Sequence, residues 1–332
     1  MWFEKLTGFK EENRAQVSAN LILAGNTITS KINNKKYTCG TLEIASLKVL
    51  KDAVPALANY KDKISITEIV RDVQVLHKDP DNENAVFQAA SQFNLLEMVG
   101  PEISPERGIG IYENDHTQGP ACAIACGAGT IYRNYFVPLE NQLGQTTHKQ
   151  IDCLTEIGIA LNNEANALWT MKNGYALANL KGLKSISKYL DNLTPMEYEA
   201  LKEKLKIGIQ WNTEVTLSKN KQLVTQVYCS ALPVQYSQVE APYWESFARL
   251  ILEATYEATF YVALKNYNST GNNKLYLTLV GGGAFGNKRS WIFDAIKKAV
   301  VKFRKTPLEI SIVSYGQADP GVSAFVVNLN KT

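Results

Sequence analysis

Hydrophobic and polar positions along this chain change character near residue 60. Before that point the sequence is polar and mixed. Residues 27–32 and 36–38 read as two arms of a hairpin, with Asn33-Asn34 supplying a left-handed turn. Residues 41–54 place leucine and isoleucine at helical spacing and are closed by Pro55, which predicts a helix. From Ile64 the pattern becomes alternating strand and helix. Residues 64–75 alternate between β-branched or apolar and polar positions, and 85–90 form a short apolar strand. A Gly- and Pro-rich loop spans 99–119, and Pro120 suits the first position of a helix that runs through ACAIACGAGT towards Tyr132. The middle, 141–217, mixes both element types; within it a helical pair covers 186–205, its second member opening at Thr194-Pro195. Then come a strand-like stretch (223–236), a long amphipathic helix (244–267), a strand (275–280), a glycine loop, a helix (290–303) and a final strand (308–315). Strands alternating with helices predict a mostly parallel sheet covered on both faces, with ligands bound beyond the carboxyl ends of its strands.

The 332 residues are 45% hydrophobic and 20% charged, the composition of a soluble globular protein with a substantial core. A formal net charge of +3, without a lysine- or arginine-rich block, argues against nucleic acid as a partner. No apolar stretch is long enough to span a bilayer, so no membrane is expected. The opening residues Met1-Trp2-Phe3-Glu4-Lys5 lack the apolar run of a secretory signal. The five cysteines (Cys39, Cys122, Cys126, Cys153, Cys229) have no framework spacing and read as buried small groups. The expected compartment is therefore cytoplasmic, or a host cytoplasm reached without a cleaved signal. The histidines His77, His116 and His148 lack partners at ligand spacing, so no metal is expected, and Gly-x-Ser-x-Gly is absent.

Three constellations carry candidate chemistry. Gly281-Gly282-Gly283-Ala284-Phe285-Gly286-Asn287 lies between a strand and a helix, where main-chain N–H groups can cradle a diphosphate; it can equally be a structural turn. It is neither a Walker motif nor a GxGxxG at a first βα unit. Residues 108–120 bring Glu113, Asp115, Thr117 and Gln118 to the approach of a helix N-terminus. Glu113 or Asp115 could bind a ribose hydroxyl, activate water or protonate a leaving group, or Asp115 and Thr117 could simply cap the helix. Ser91 and Asn94 follow a short strand, with Asp72 upstream, and residues of these types are also common in turns. Asp319, in Gln317-Ala318-Asp319-Pro320-Gly321, reads most simply as a turn acid.

In their order along the chain these pieces resemble a divergent macrodomain, the ADP-ribose-binding fold. Arg71-Asp72-Val73 resembles the Gly-Asp-Ile stretch whose aspartate contacts adenine. Val86-Phe87-Gln88-Ala89-Ala90-Ser91 stands where the family has Asn-Ala-Ala-Asn, with both asparagines replaced. Cys229-Ser230-Ala231-Leu232-Pro233 is similar to its His-Ala-Val-Gly-Pro strand. Gly283-Ala284-Phe285-Gly286 resembles its Gly-Ile-Phe-Gly diphosphate loop, and Tyr315 takes the place of its adenine-side aromatic. The segment Glu113 to Pro120 is similar to the Thr-Gln-Glu-Glu loop of poly(ADP-ribose) glycohydrolases, but Gly119-Pro120 replace the two glutamates, which puts any catalytic acid earlier.

The resemblance implies a three-layer α/β/α fold with a mixed, largely parallel sheet. An N-terminal extension (1–60) would pack on a main domain (61–332) that carries an insertion at about 137–220. It implies an ADP-ribosylhydrolase without a cofactor, acting on ADP-ribosylated protein, with arginine linkages favoured and ubiquitin as a possible carrier, or else a non-catalytic ADP-ribose reader. Asp72 and Tyr315 would then hold adenine, and 281–287 the diphosphate. Ser91 and Asn94 would line the distal ribose, flanked by Thr117 and Gln118. Glu113 or Asp115 would do the chemistry, with Asp319 as a further acid.

Overall fold

The computed structural model describes residues 1–331. Its centre is a seven-stranded sheet made of β1 (Thr41–Ser46), β2 (Ser65–Val70), β3 (Val86–Ala90), β4 (Lys206–Glu214), β5 (Leu223–Cys229), β6 (Lys274–Leu277) and β7 (Glu309–Ser314). Their spatial order is β1-β4-β5-β3-β6-β7-β2. From β5 through β3, β6 and β7 to β2 every neighbour is parallel, whereas β4 runs antiparallel to both β5 and β1. The expected mixed, largely parallel sheet is therefore present. Its central strand β3 reads Val-Phe-Gln-Ala-Ala and is buried on both faces, as a covered parallel strand must be.

Neighbouring residues on one strand show the two covering layers. Helices used below are α1 (Trp2–Thr7), α2 (Val73–Lys78), α3 (Gln118–Ala125), α4 (Ala241–Thr270), α5 (Arg289–Lys302) and α6 (Pro320–Leu329). On β3, Phe87 stacks on His77 of α2 at 3.8 Å, while Gln88 turns the other way and donates to Thr259 of α4. On β5, Thr225 reaches Asn266 of α4, and Gln226 donates to the Cys122 carbonyl of α3. Helix α4 is buried around nearly its whole circumference because it sits between the sheet and α5. All five cysteines are buried and unbridged, as their spacing suggested. Among the described residues, no helix is long and apolar enough to cross a membrane.

The hairpin is present, with Asn34 at φ 58°, and strand Leu21–Ala24 adds a third arm to it. Other expectations change. Residues 41–54 are not one helix: 41–46 form edge strand β1 and only Leu47–Asp52 is helical. The strand expected over 64–75 stops at Val70, because Asp72 caps α2. Pro120 is the third residue of α3, not the first. The stretches 1–60 and 137–220 each give the central sheet a strand, β1 and β4, which pair with each other. A second apolar cluster joins Phe3, Leu6 and Phe9 to Ile109 and Tyr112, so the N-terminal segment packs on the acid-bearing loop.

Candidate functional site

The carboxyl ends of β2, β3, β5, β6 and β7 lie along one side of the sheet, and the segments that follow them border one cleft. Its main part is about 820 Å³ and is lined by Asp72, Glu113, Asp115, Thr117, Gln118, Gly282, Gly283, Asn287, Tyr315 and Asp319, with Trp2 on the N-terminal side. A recess of about 200 Å³ continues from it, sharing Asp115, Thr117, Gln118, Thr278 and Gly283 and adding Ser91, Glu97, Tyr175, Tyr236 and Phe285. The topology thus gathers residues from 2 to 322 at the place where α/β sheets bind ligands.

The glycine loop joins β6 to α5 and closes on itself. Gly286 N–H donates to the Gly283 carbonyl, Asn287 N–H to Gly281, and the Asn287 amide to Leu232. Gly281 (φ 77°) and Gly286 (φ 70°) are left-handed, and a Cβ on them would lie 2.4 Å from Ala231 Cβ and 2.2 Å from Gln235 Cγ. Gly283 is different, since a Cβ there would meet nothing within 4 Å. The N–H groups of Gly281, Gly283, Ala284 and Phe285 have no acceptor among the described residues. Asn287 Oδ1 is buried without a partner. A chain of unengaged donors beside an open glycine is suited to an anion.

Helix α3 points its first turn into the cleft. Gln118 ties it to the end of β3, its amide donating to the Gln88 carbonyl at 2.7 Å and accepting from Ala90 N–H at 3.0 Å. Thr117 is the N-cap residue, without a side-chain cap bond. Asp115 accepts from Thr117 N–H at 2.9 Å and borders both the main cleft and the recess. Asp72 borders the far end; it accepts from Gln74 N–H at 2.6 Å, and Gln74 donates to the Ala121 carbonyl. Tyr315 stands at the same rim, 79% exposed.

The remaining sequence-derived acids are engaged elsewhere. Glu113 accepts from the backbone N–H of Trp2 at 3.0 Å, and so fastens α1 to the cleft wall. Half-buried Glu11 holds the same loop from the other side, accepting from Ile109 N–H, and is itself held by the Tyr135 hydroxyl. Asp319 forms a two-pronged pair with Arg289, at 2.7 and 2.6 Å, and caps α6 through Gly321 and Val322. The Arg289 guanidinium holds its carboxyl below the usual range. With both oxygens occupied, it is poorly placed to take a proton. Ser91 lies in the recess, its hydroxyl within 3.1 Å of the Gln92 carbonyl. Asn94 is fully buried away from the cleft; it bonds Gln150 at 2.8 Å and accepts from Leu96 N–H. Gly286 likewise shapes the loop without lining the cleft.

Sequence reasoning missed Glu97. It is 4% exposed, lines the recess, and has Oε1 unpartnered. Burial pushes its carboxyl well above the usual range and Asp115 adds to the effect, while Arg133 opposes it. Arg133 itself bonds Leu95, Thr130 and Gln210, and lies 3.6 Å from the centre of the Tyr228 ring. In Asn94-Leu95-Leu96-Glu97-Met98 no spacing linked this glutamate to the acids of 113–115.

No protein-family model matches the chain, and no curated protein matches it. Among solved structures, poly(ADP-ribose) glycohydrolase from Deinococcus radiodurans in complex with ADP-ribose is 9% identical, with 87% of this chain and 92% of that one covered and a TM-score of 0.44. The poly(ADP-ribose) glycohydrolase of Thermomonospora curvata bound to the inhibitor ADP-HPD is 10% identical, with 96% and 97% covered and a TM-score of 0.42.

Proposed function

We propose that this chain is an ADP-ribosylhydrolase that releases ADP-ribose from modified protein side chains. The observation that carries the reading is one continuous groove with distinct ends. Asp72 and Tyr315 border one end, the glycine loop offers unengaged N–H groups in the middle, and a recess with Asp115 and Glu97 closes the other. Adenine, diphosphate and distal ribose have that order of chemistry. In this reading Asp72 and Tyr315 hold the base, and 281–287 hold the diphosphate, with Gly283 the position of closest approach. Ser91, Thr117 and Gln118 border the distal ribose, and Asp115 faces its anomeric carbon. A carboxylate there stabilises the positive charge that C1 develops as its bond to the protein breaks. Arginine is the favoured linkage, because Asp115, which borders both the cleft and the recess, complements a guanidinium leaving group; ubiquitin is one protein that could carry it.

The test is release of ADP-ribose from proteins mono-ADP-ribosylated on arginine and on acidic residues, comparing wild type with Asp115→Asn, alongside calorimetry with ADP-ribose. Turnover by the wild type and its loss in the variant is the expected result. Binding without turnover on any substrate would make the cleft a reader of ADP-ribose, and absence of binding would end both readings.

A further inference from the structure

Glu97 enters the recess from the turn after β3, and the main chain of Glu97 and Met98 is clamped by three hydrogen bonds. Glu97 N–H donates to the Tyr112 hydroxyl at 2.9 Å; Met98 N–H donates to Gln92 Oε1 at 2.9 Å, and the Tyr175 hydroxyl to the Met98 carbonyl at 2.6 Å. The carboxyl lies against the first turn of α3. A Cβ built on Gly119 would sit 2.3 Å from Glu97 Oε2 and 2.1 Å from the Ala90 carbonyl, so only glycine at that helix position leaves room for this acid. Two carboxyls, Glu97 and Asp115, therefore border one recess. Oε1 has no partner among the described residues although the side chain is 4% exposed. An unsatisfied buried carboxyl costs stability, and folds keep such groups chiefly where they act on something. No hydrogen bond in the packing uses Oε1: Arg133, the buried cation nearby, donates to Leu95, Gln210 and Thr130.

We propose that Glu97 is the general acid of the hydrolysis, a role that rests on the ADP-ribosylhydrolase reading. As the bond between C1 of the distal ribose and the side-chain atom breaks, its electron pair goes to that atom, which takes the proton of the Glu97 carboxyl. Water then adds to C1 and gives up its proton to the Glu97 carboxylate. Free ADP-ribose and the unmodified side chain result, and the acid is restored. The titratable groups around Glu97 are Asp115, Arg133, Tyr112, Tyr175, Tyr228 and Cys122. Burial pushes the three tyrosines and the thiol up, so they stay neutral while Glu97 titrates. Burial also raises the Glu97 carboxyl well above the ordinary carboxylate range, which favours the protonated form that a general acid needs.

The experiment measures wild type, Glu97→Gln and Glu97→Asp on two substrates, with ADP-ribose calorimetry and a melting curve for each. One substrate is mono-ADP-ribosylated arginine; the other is ADP-ribose carrying 4-nitrophenol at C1 of its distal ribose, a leaving group that departs without a proton. Glu97→Gln should lose ~100-fold or more in kcat on the first, bind ADP-ribose within about twofold of wild type, and keep most of its rate on the second. The descending alkaline limb of the wild-type kcat profile should vanish in Glu97→Gln and move in Glu97→Asp. Equal losses on both substrates, or near-wild-type turnover of the arginine substrate by Glu97→Gln, overturn the assignment while leaving the hydrolase standing. A wild type that turns over neither substrate overturns both. If Glu97→Gln does not fold, the leaving-group dependence of Glu97→Asp decides.

Discussion

Replacing single glycines of the 281–287 loop by alanine separates a phosphate cradle from a structural turn. At Gly283 the added methyl meets nothing within 4 Å, so the folded state has no reason to object. Alanine there should raise stability by about 0.4–1 kcal/mol, because it narrows the unfolded ensemble. At Gly281, with φ 77° and Ala231 Cβ 2.4 Å away, two penalties combine. The left-handed backbone costs roughly 1–2 kcal/mol and the overlap roughly 1–3 kcal/mol, or about 5 °C or more in melting temperature. Binding should invert this order. A methyl at Gly283 keeps an anion from its N–H; losing one hydrogen bond to a charged group is worth about 1.5–3 kcal/mol, or roughly 10- to 150-fold in Kd. Melting curves and calorimetric titration with ADP-ribose give both numbers. If Gly283→Ala binds ADP-ribose as wild type does, the loop is a turn, and the diphosphate assignment fails.

Three further outcomes are expected. Asp319→Ala should lower the melting temperature by a few degrees, since it removes the cap of α6 and the Arg289 pair, yet leave kcat nearly intact; a tenfold fall in kcat would return Asp319 to the chemistry. Glu113→Gln removes the carboxylate that Trp2 N–H donates to, so steady-state kinetics should show a raised KM with little change in kcat; the reverse pattern would make Glu113 a catalytic residue. Glu97 has a folded-state value raised above its unfolded one, so the stability it contributes is present below about pH 4.5 and is lost as pH rises through the raised value. Glu97→Gln does not titrate and should therefore gain on wild type in urea unfolding as pH rises above about 4.5, and a constant difference would contradict the burial argument.

What could be read from the sequence followed from local pattern. The parallel strands beyond Ile64 announced themselves by apolar runs; the resemblance in segment order singled out Asp72, the glycine loop and Tyr315, and these line one cleft with Asp115 beyond the strands' carboxyl ends. Residues 41–46 hid because Thr-Leu-Glu-Ile-Ala-Ser runs straight into a real helix, so one helical period fitted both. Asn94 looked like a ribose contact because it follows β3 closely; its partner Gln150 lies 56 residues away, beyond the reach of any local pattern. Glu97 was invisible for the complementary reason. A glutamate between leucine and methionine reads as a solvated position, and only the tertiary arrangement of β3, α3 and Arg133 takes it out of water.

The pairing of β1 with β4 bears on how the molecule can be cut. A fragment starting near residue 61 would uncover the 206–211 edge that 41–46 now occupies, leaving backbone N–H and C=O groups without partners on a strand whose Ile207, Ile209 and Gln210 are buried. Such an edge recruits another copy of itself, so the fragment should self-associate rather than stay a monomer. It would also lack Trp2 and Glu11, and with them one wall of the cleft and the anchor of the loop behind it. The first sixty residues thus serve as a covering strand and a brace, and the groove is complete only when the chain's beginning has folded onto its middle.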